Sequence, residues 1–241
     1  MPLRLPTAFG LCPRGDYCAR CLAKPVPRPM FGTRDHSSPT DMTDFIYLAS
    51  QSPRRRQLLE QLGVRYELLL PEKSEDAEAL EIALKNEAPT AYVKRVTSLK
   101  LDAAVARLKR RGVQPAPVLC SDTTVALGRA IYGKPDDAAD AKRMLTELSG
   151  HTHRVLTAVA IQAGRKRFDA LSASRVTFEA MTARQISAYV DTGEPLGKAG
   201  AYAVQGRAAV HIARIDGSYS GIMGLPIRET ALLLKAAGLR I

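Results

Sequence analysis

The sequence predicts a mixed α/β domain, a sheet with hairpins and flanking helices, and three observations carry that expectation. From Phe45 onward, short apolar runs rich in β-formers alternate with stretches of helical period. Two pairs of such runs face each other across Gly128 and Gly164, as the arms of hairpins do. No repeat of about 20–50 residues is visible, which sets solenoids and propellers aside.

Taken in order, Phe45–Ser50 is an apolar run bounded by polar residues and predicts a buried strand. Ser52-Pro53 then has the form of an N-cap followed by proline at the first helical position. Leu58, Leu59 and Leu62 share one face of that helix, and Gly63 stops it. Val64–Leu70 predicts a second strand. Pro89–Arg111 predicts a long helix with Val93, Val96, Leu99, Ala103 and Leu108 on its buried side. Val118–Leu127 and Ala130–Tyr132 form the first hairpin. Asp136–Leu148 is a helix with acidic residues in its first turn, where they complement the positive end of the dipole. His153–Gln162 and Phe168–Phe178 form the second hairpin. Thr182-x-x-Gln185 is a capping box opening a helix to Val190. Val210–Ile215 predicts a strand and Leu225–Ala237 the last helix.

The 241 residues contain 46% hydrophobic and 24% charged residues, which excludes wholesale disorder and a disulfide scaffold. No apolar run is long enough to cross a membrane. The net charge of +11 favours an anionic partner, while the 5% aromatic content without Trp argues against a base-stacking nucleic-acid platform. Residues 1–41 stand apart: seven of the 15 prolines and three of the four cysteines lie there, and no helical or strand period can be read. They are read as a disordered extension or as the product of an upstream mis-called start, since Met30 and Met42 precede the first clear element. Residues 42–241 form the folded domain. Cys12, Cys18 and Cys21 with His36 have the residue types of a zinc site, but one CxxC is half a ribbon at best. With no secretion signal and no paired cysteines in the domain, the cytoplasm is the expected compartment.

Three segments point to chemistry. Ser50-Gln51-Ser52-Pro53-Arg54-Arg55-Arg56 puts three arginines at a helix N-terminus, where they oppose the macrodipole at up to about 1 kcal/mol each. A phosphate bound by the free N–H groups, the two hydroxyls and the guanidiniums accounts for that choice; a solvated basic turn is the plainer reading. Asp122 ends the apolar run Val118-Leu119-Cys120, where an ionised carboxylate needs a partner such as a metal or a reacting water. A strand-end turn cap would also suit it. Lys134 follows shortly and can meet phosphate, and Glu75, in a charged loop, can lend an oxygen to a metal. Gly193–Gly206 is rich in small residues, so its backbone can approach a ligand closely, and Gln205 carries an amide able to read a base edge. The same stretch also reads as a glycine-rich turn. There is no Walker A motif and no GxGxxG after a strand.

These segments carry a resemblance. Leu48-Ala49-Ser50-Gln51-Ser52-Pro53-Arg54-Arg55, Ser121-Asp122-Thr123-Thr124-Val125 with Gly133-Lys134-Pro135, Leu148-Ser149-Gly150-His151-Thr152-His153, Lys198 through Gly206, and Gly217-Ser218-Tyr219 with Gly224-Leu225-Pro226 resemble, in order, the signatures of the Maf-like nucleoside triphosphate pyrophosphatases. The resemblance implies a fold related to the inosine triphosphate pyrophosphatases, with two lobes around a cleft. It implies hydrolysis between the α- and β-phosphates with a divalent cation, Mg2+ or Mn2+. Position by position, it makes Asp122 the general base and a metal ligand, and Glu75 a supporting acidic residue near the metal. Ser50, Arg55, Lys100 and Lys134 become phosphate contacts, and Arg54, Thr123 and Gln205 the residues that set base choice. That combination is similar to the branch acting on dTTP and UTP, rather than the 7-methyl-GTP branch. Gly197 departs from it, standing where that branch usually has Asp.

Two rival classes are a non-catalytic nucleotide sensor and a basic nucleic-acid binder; the second lacks a basic, aromatic-studded strand pair. Cys120 is read as core, since no histidine spacing recruits it as a nucleophile. The apolar C-terminal helix offers a face for a homodimer.

Overall fold

The computed structural model describes residues 45–72, 75 and 79–241. The readings made for residues 1–41, the cysteine set included, lie outside the described residues. The elements are β1 Phe45–Leu48, α1 Pro53–Gln61, β2 Arg65–Leu68, a 310 turn Ala79–Glu81, α2 Pro89–Arg111, β3 Val118–Leu127, β4 Ala130–Tyr132, α3 Ala138–Leu148, β5 Thr152–Ala163, β6 Lys166–Phe178, α4 Ala183–Val190, 310 turns Ala199–Ala201 and Arg207–His211, β7 Ile212–Asp216, α5 Tyr219–Met223 and α6 Ile227–Ala236.

The strands form one seven-stranded mixed sheet in the order β2-β1-β3-β5-β6-β7, with β4 also on β3. β1 runs parallel to β2 and β3; the remaining pairs are antiparallel. The hairpins close as the glycines predict, Leu127 opposite Ala130 and Ala163 opposite Lys166, with Gly128 and Gly164 at positive φ.

Period-two alternation along β3 gives its two faces different neighbours. Leu119 and Val125 point into the larger core, with residues of α1, α3, α4, α5 and α6. Val118 and Cys120 point to the other face, under Leu101 and Ala104 of α2. The sequence places α2 correctly and part of its buried stripe: Val93 and Val96 are fully buried as expected. Leu99 is 37% exposed, and the stripe runs through Val93, Val96, Thr97, Leu101, Ala104 and Arg107. Its residues recur every three or four positions, so a buried arginine belongs to it as fully as the aliphatics do.

Two further expectations change. Val210 lies in a 310 turn and is 76% exposed; β7 starts at Ile212. The last helix starts at Ile227, and a short helix precedes it, α5, capped by Ser218 through the Gly221 N–H. Small residues hid α5, and they are what the packing needs: a Cβ at Gly221 would stand 2.7 Å from Ser172 Oγ. Helix α6 buries Leu233 and Leu234 within the chain and leaves Leu232 half-exposed. Among the described residues no helix is long and apolar enough to cross a membrane.

Candidate active site

The site sits where the sheet has a gap. β1 reaches β3 only at Tyr47–Val118 and Leu48–Leu119, and β4 joins the same edge only from Val125. Between them, Cys120 to Thr124 have β5 on one side and, among the described residues, no strand on the other. The C-terminal end of parallel β1 opens into this gap, the place where α/β sheets take ligands. The N-terminus of α1 points there as well.

Ser50 is buried in the β1–α1 loop. Its Oγ accepts from the Ser52 N–H at 3.2 Å and from Arg55 Nη1 at 3.1 Å. Arg55 also donates from Nε to the Gly224 carbonyl at 2.8 Å and from Nη2 to Thr123 Oγ1 at 3.5 Å. Arg54 Nε donates to the Met223 carbonyl at 3.2 Å. Both arginines therefore engage the carbonyl end of α5, where cations are favoured. This corrects the sequence argument that folding alone would not place arginines here. Arg55 still has two N–H groups beyond these bonds. Desolvation lowers the pKa of both guanidiniums; at Arg55 the Asp122 charge opposes it.

On the α2 face of β3, Asp122 is only 8% exposed. Its Oδ1 accepts from Lys100 Nζ at 2.6 Å, and the same ammonium donates to Glu81 Oε1 at 2.7 Å. Lys134 Nζ lies 3.3 Å from both oxygens of Glu81. Burial alone would raise the Glu81 pKa, but Lys100 and Lys134 outweigh it and hold the carboxyl below the ordinary range. Desolvation, Asp122 and Glu81 together push the nearby Tyr92 hydroxyl up to about 12. Tyr92 in turn donates to the Glu81 carbonyl at 2.8 Å and fixes the 310 turn on α2. Asp122 Oδ2 makes no hydrogen bond with the described residues, so that oxygen is free for water or metal.

The structure thus brings Ser50, Arg54, Arg55, Lys100, Asp122, Thr123 and Lys134 to one gap. It does not bring Glu75 there. Glu75 pairs with Arg107 at 2.5 Å and Arg110 at 2.6 Å, two turns or roughly 10 Å further along α2 from Lys100. The acidic residue beside Asp122 is Glu81, which the sequence reading missed. A signal for it exists: Arg107 lies on the apolar stripe of α2, half-buried Lys100 borders it at helical spacing from Val96 and Thr97, and a cation drawn out of water needs a carboxylate. The chain leaves β2 near Arg107, where Arg107 Nη1 bonds the Leu69 carbonyl, and returns to the start of α2. The earlier acid therefore meets the later cation, and the later acid meets Lys100.

The glycine-rich segment packs against the same gap. Gly200, at φ 70°, donates to the Gly133 carbonyl at 2.9 Å, and a Cβ there would meet Val125 at 2.8 Å. Lys198 donates to the Glu194 carbonyl; burial and the neighbouring Arg54 charge lower its pKa. Glu194 accepts from Tyr189 Oη at 2.8 Å and from the Arg207 N–H at 3.1 Å, and so straps the turn that carries Gln205. Gln205 itself is exposed and makes no side-chain hydrogen bond with the described residues. Beneath the segment, Tyr202 Oη lies 2.9 Å from His153 Nε2, and burial pushes the imidazole pKa down to about 4.

The donor set suits a hard divalent cation. Asp122 and Glu81 converge on one ammonium and offer carboxylate oxygens; Mg2+ sites use one or two such groups and fill the remaining positions with water and substrate phosphate. Among the described residues no group of three or more His, Cys, Asp or Glu forms a closed metal cage.

A family model described as Maf-like protein matches residues 45–237. The dTTP/UTP pyrophosphatase of Polaromonas sp. (strain JS666 / ATCC BAA-500) is 72% identical over 198 residues, 82% of this chain and 98% of that protein. The dTTP/UTP pyrophosphatases of Albidiferax ferrireducens and Cupriavidus pinatubonensis are 71% and 63% identical, each over 83% of this chain and 100% of the relative. The solved Ham1 protein of Staphylococcus aureus is similar at 10% identity and a TM-score of 0.35, over 79% of this chain and 96% of that one.

Proposed function

This chain belongs to the Maf-like protein family, and we propose that residues 42–241 hydrolyse dTTP and UTP between the α- and β-phosphates, releasing the monophosphate and pyrophosphate. The observation that carries the reading is the Asp122–Lys100–Glu81–Lys134 chain of ion pairs, set in a sheet gap opposite the Ser50–Arg55 pair.

Each residue has a role in that reaction. Lys100 pairs with Asp122 Oδ1 and orients the carboxylate, and Asp122 Oδ2 takes a proton from the attacking water. Ser50, Arg55, Lys134 and the α1 N-terminus hold the phosphates, and Arg55 and Lys134 stabilise charge developing on the leaving pyrophosphate. Asp122 and Glu81 would hold a divalent cation, Mg2+ or Mn2+, which when bound would supply further neutralisation of phosphate charge. Arg54, Thr123 and Gln205 face the base. Clearing non-standard nucleotides, so that they are not incorporated, is the role this chemistry suits.

Pyrophosphate release from dTTP, UTP, CTP, GTP, 7-methyl-GTP and ITP, each with Mg2+ or Mn2+, tests the reading. Fast release from dTTP and UTP is expected. Turnover of 7-methyl-GTP alone would keep the mechanism and overturn the base assignment; binding without release from any nucleotide would make the protein a sensor.

A further inference from the structure

Thr157 lies in the middle of β5 with no exposed surface, between Val155 and Val159 on the larger core's face of the sheet. Its hydroxyl has one proton. Thr157 Oγ1 lies 2.7 Å from the Gly221 carbonyl, which can only accept, so that proton is committed. Thr123 Oγ1 lies 3.0 Å from Thr157 Oγ1. The bond between the hydroxyls then has one possible direction: Thr123 donates and Thr157 accepts.

Thr123 is thereby left without a proton for anything else. One remaining lone pair takes the Arg55 Nη2 donor, and the half-buried Thr123 has one more to offer a ligand. Any substrate group that bonds this oxygen must itself donate. Among pyrimidine bases, uracil and thymine carry a ring N–H at position 3, whereas cytosine carries a bare acceptor nitrogen there.

We infer that Thr157 is a positioning residue for base choice: by taking the Thr123 proton, it makes Thr123 an acceptor that, opposite ring position 3, bonds the N–H of uracil or thymine and meets only the bare nitrogen of cytosine, whose exocyclic amine lies one position away. The inference rests on the proposed reading in which Thr123 faces the base, and it supplies the mechanism of that choice. Gly221 belongs to the device, because a Cβ there would stand 2.7 Å from Ser172 Oγ and crowd the turn that carries the carbonyl.

The test is the ratio of kcat/KM for UTP to that for CTP, measured in the wild type, Thr157→Val and Thr157→Ser. Thr157→Val keeps the shape and frees the Thr123 proton to donate, so the ratio should fall at least about tenfold, in line with the cost of mispairing a buried polar group. Thr157→Ser keeps the hydroxyl and should retain the wild-type ratio. Equal losses on both substrates, with the ratio unchanged, would make Thr157 merely structural and overturn the inference. A wild type that turns over CTP as well as UTP also overturns it, whereas a wild type that releases pyrophosphate from nothing overturns the underlying reading first. Should Thr157→Val not fold, 3-deaza-UTP, which has C–H in place of the ring N–H, decides on the wild-type enzyme. A loss of about tenfold or more relative to UTP supports the inference, and parity contradicts it.

Discussion

Asp122 and Thr123 are neighbours in sequence and occupy different chemical worlds. On the α2 face of β3, Asp122 joins Lys100, Glu81 and Lys134 in a network of full charges. On the other face, Thr123 bonds the Thr157 hydroxyl, which donates to the Gly221 carbonyl, while Arg55 reaches Thr123 and the Gly224 carbonyl that Ser121 also bonds. The strand's two-residue period is all that separates them. The charged face can move a proton and hold a polyanion. The Thr123–Thr157 pair does neither at neutral pH, but its proton direction is fixed, which is what discrimination between hydrogen-bonding patterns needs. In the proposed mechanism, reaction and recognition are thus assigned to opposite faces of one strand, so a change on one should leave the other's signature intact.

The largest expected effect tests the charged face. Asp122→Asn removes the proposed base while keeping the side chain's size, and kcat for dTTP should fall at least about a hundredfold, measured as pyrophosphate release. Glu81→Gln should cost about tenfold in kcat/KM and raise the Mg2+ or Mn2+ concentration needed for half-maximal rate; an unchanged metal requirement would remove Glu81 from the metal site. Glu75→Gln, a residue paired with Arg107 outside the gap, should leave the metal requirement where it is. The His153 imidazole gives a pH test beneath the glycine-rich segment. Its folded pKa of about 4 lies below the ordinary 6.5, so the unfolded chain binds the proton first. Its contribution is fully present above about pH 6.5 and is lost as pH falls toward 4, by ~3 kcal/mol in all. Urea unfolding of the wild type and His153→Gln between pH 7 and 4.5 should show a shallower acid loss in the variant; parallel curves would contradict the assignment. The smallest effect is Gln205→Ala, expected to change the UTP to CTP ratio a few-fold with kcat for UTP near normal, because this amide is exposed and makes no protein hydrogen bond.

Much of the fold was legible in the sequence because its punctuation is strong. The hairpin glycines, the Thr182–Gln185 capping box and the bounds of α2 all follow from local chemistry, and the structure repeats them. Helix α5 was not legible, since Ser220 and Gly221 carry no apolar period, and its place is set by close packing on β6. The site divides in the same way. Ser50, Arg55 and Lys134 stand in short motifs at element ends, and Asp122 is a carboxylate inside strand β3, just past its apolar run. Glu81 stands in an acidic run with no period, and only the return of the chain along α2 selects it over Glu75. The hydroxyl network was invisible for another reason: a threonine between valines reads as strand propensity, and its proton direction exists only once Gly221 lies over it.

The division of labour between the two faces is tested most directly by one matched pair of variants. Asp122→Asn and Thr123→Val would each be assayed for kcat/KM on UTP and on CTP. The account predicts that Asp122→Asn loses rate on both substrates by a similar large factor and keeps the wild-type ratio, while Thr123→Val loses the ratio by about tenfold through its effect on UTP. A changed ratio in Asp122→Asn, or an equal loss on both substrates in Thr123→Val, would contradict it.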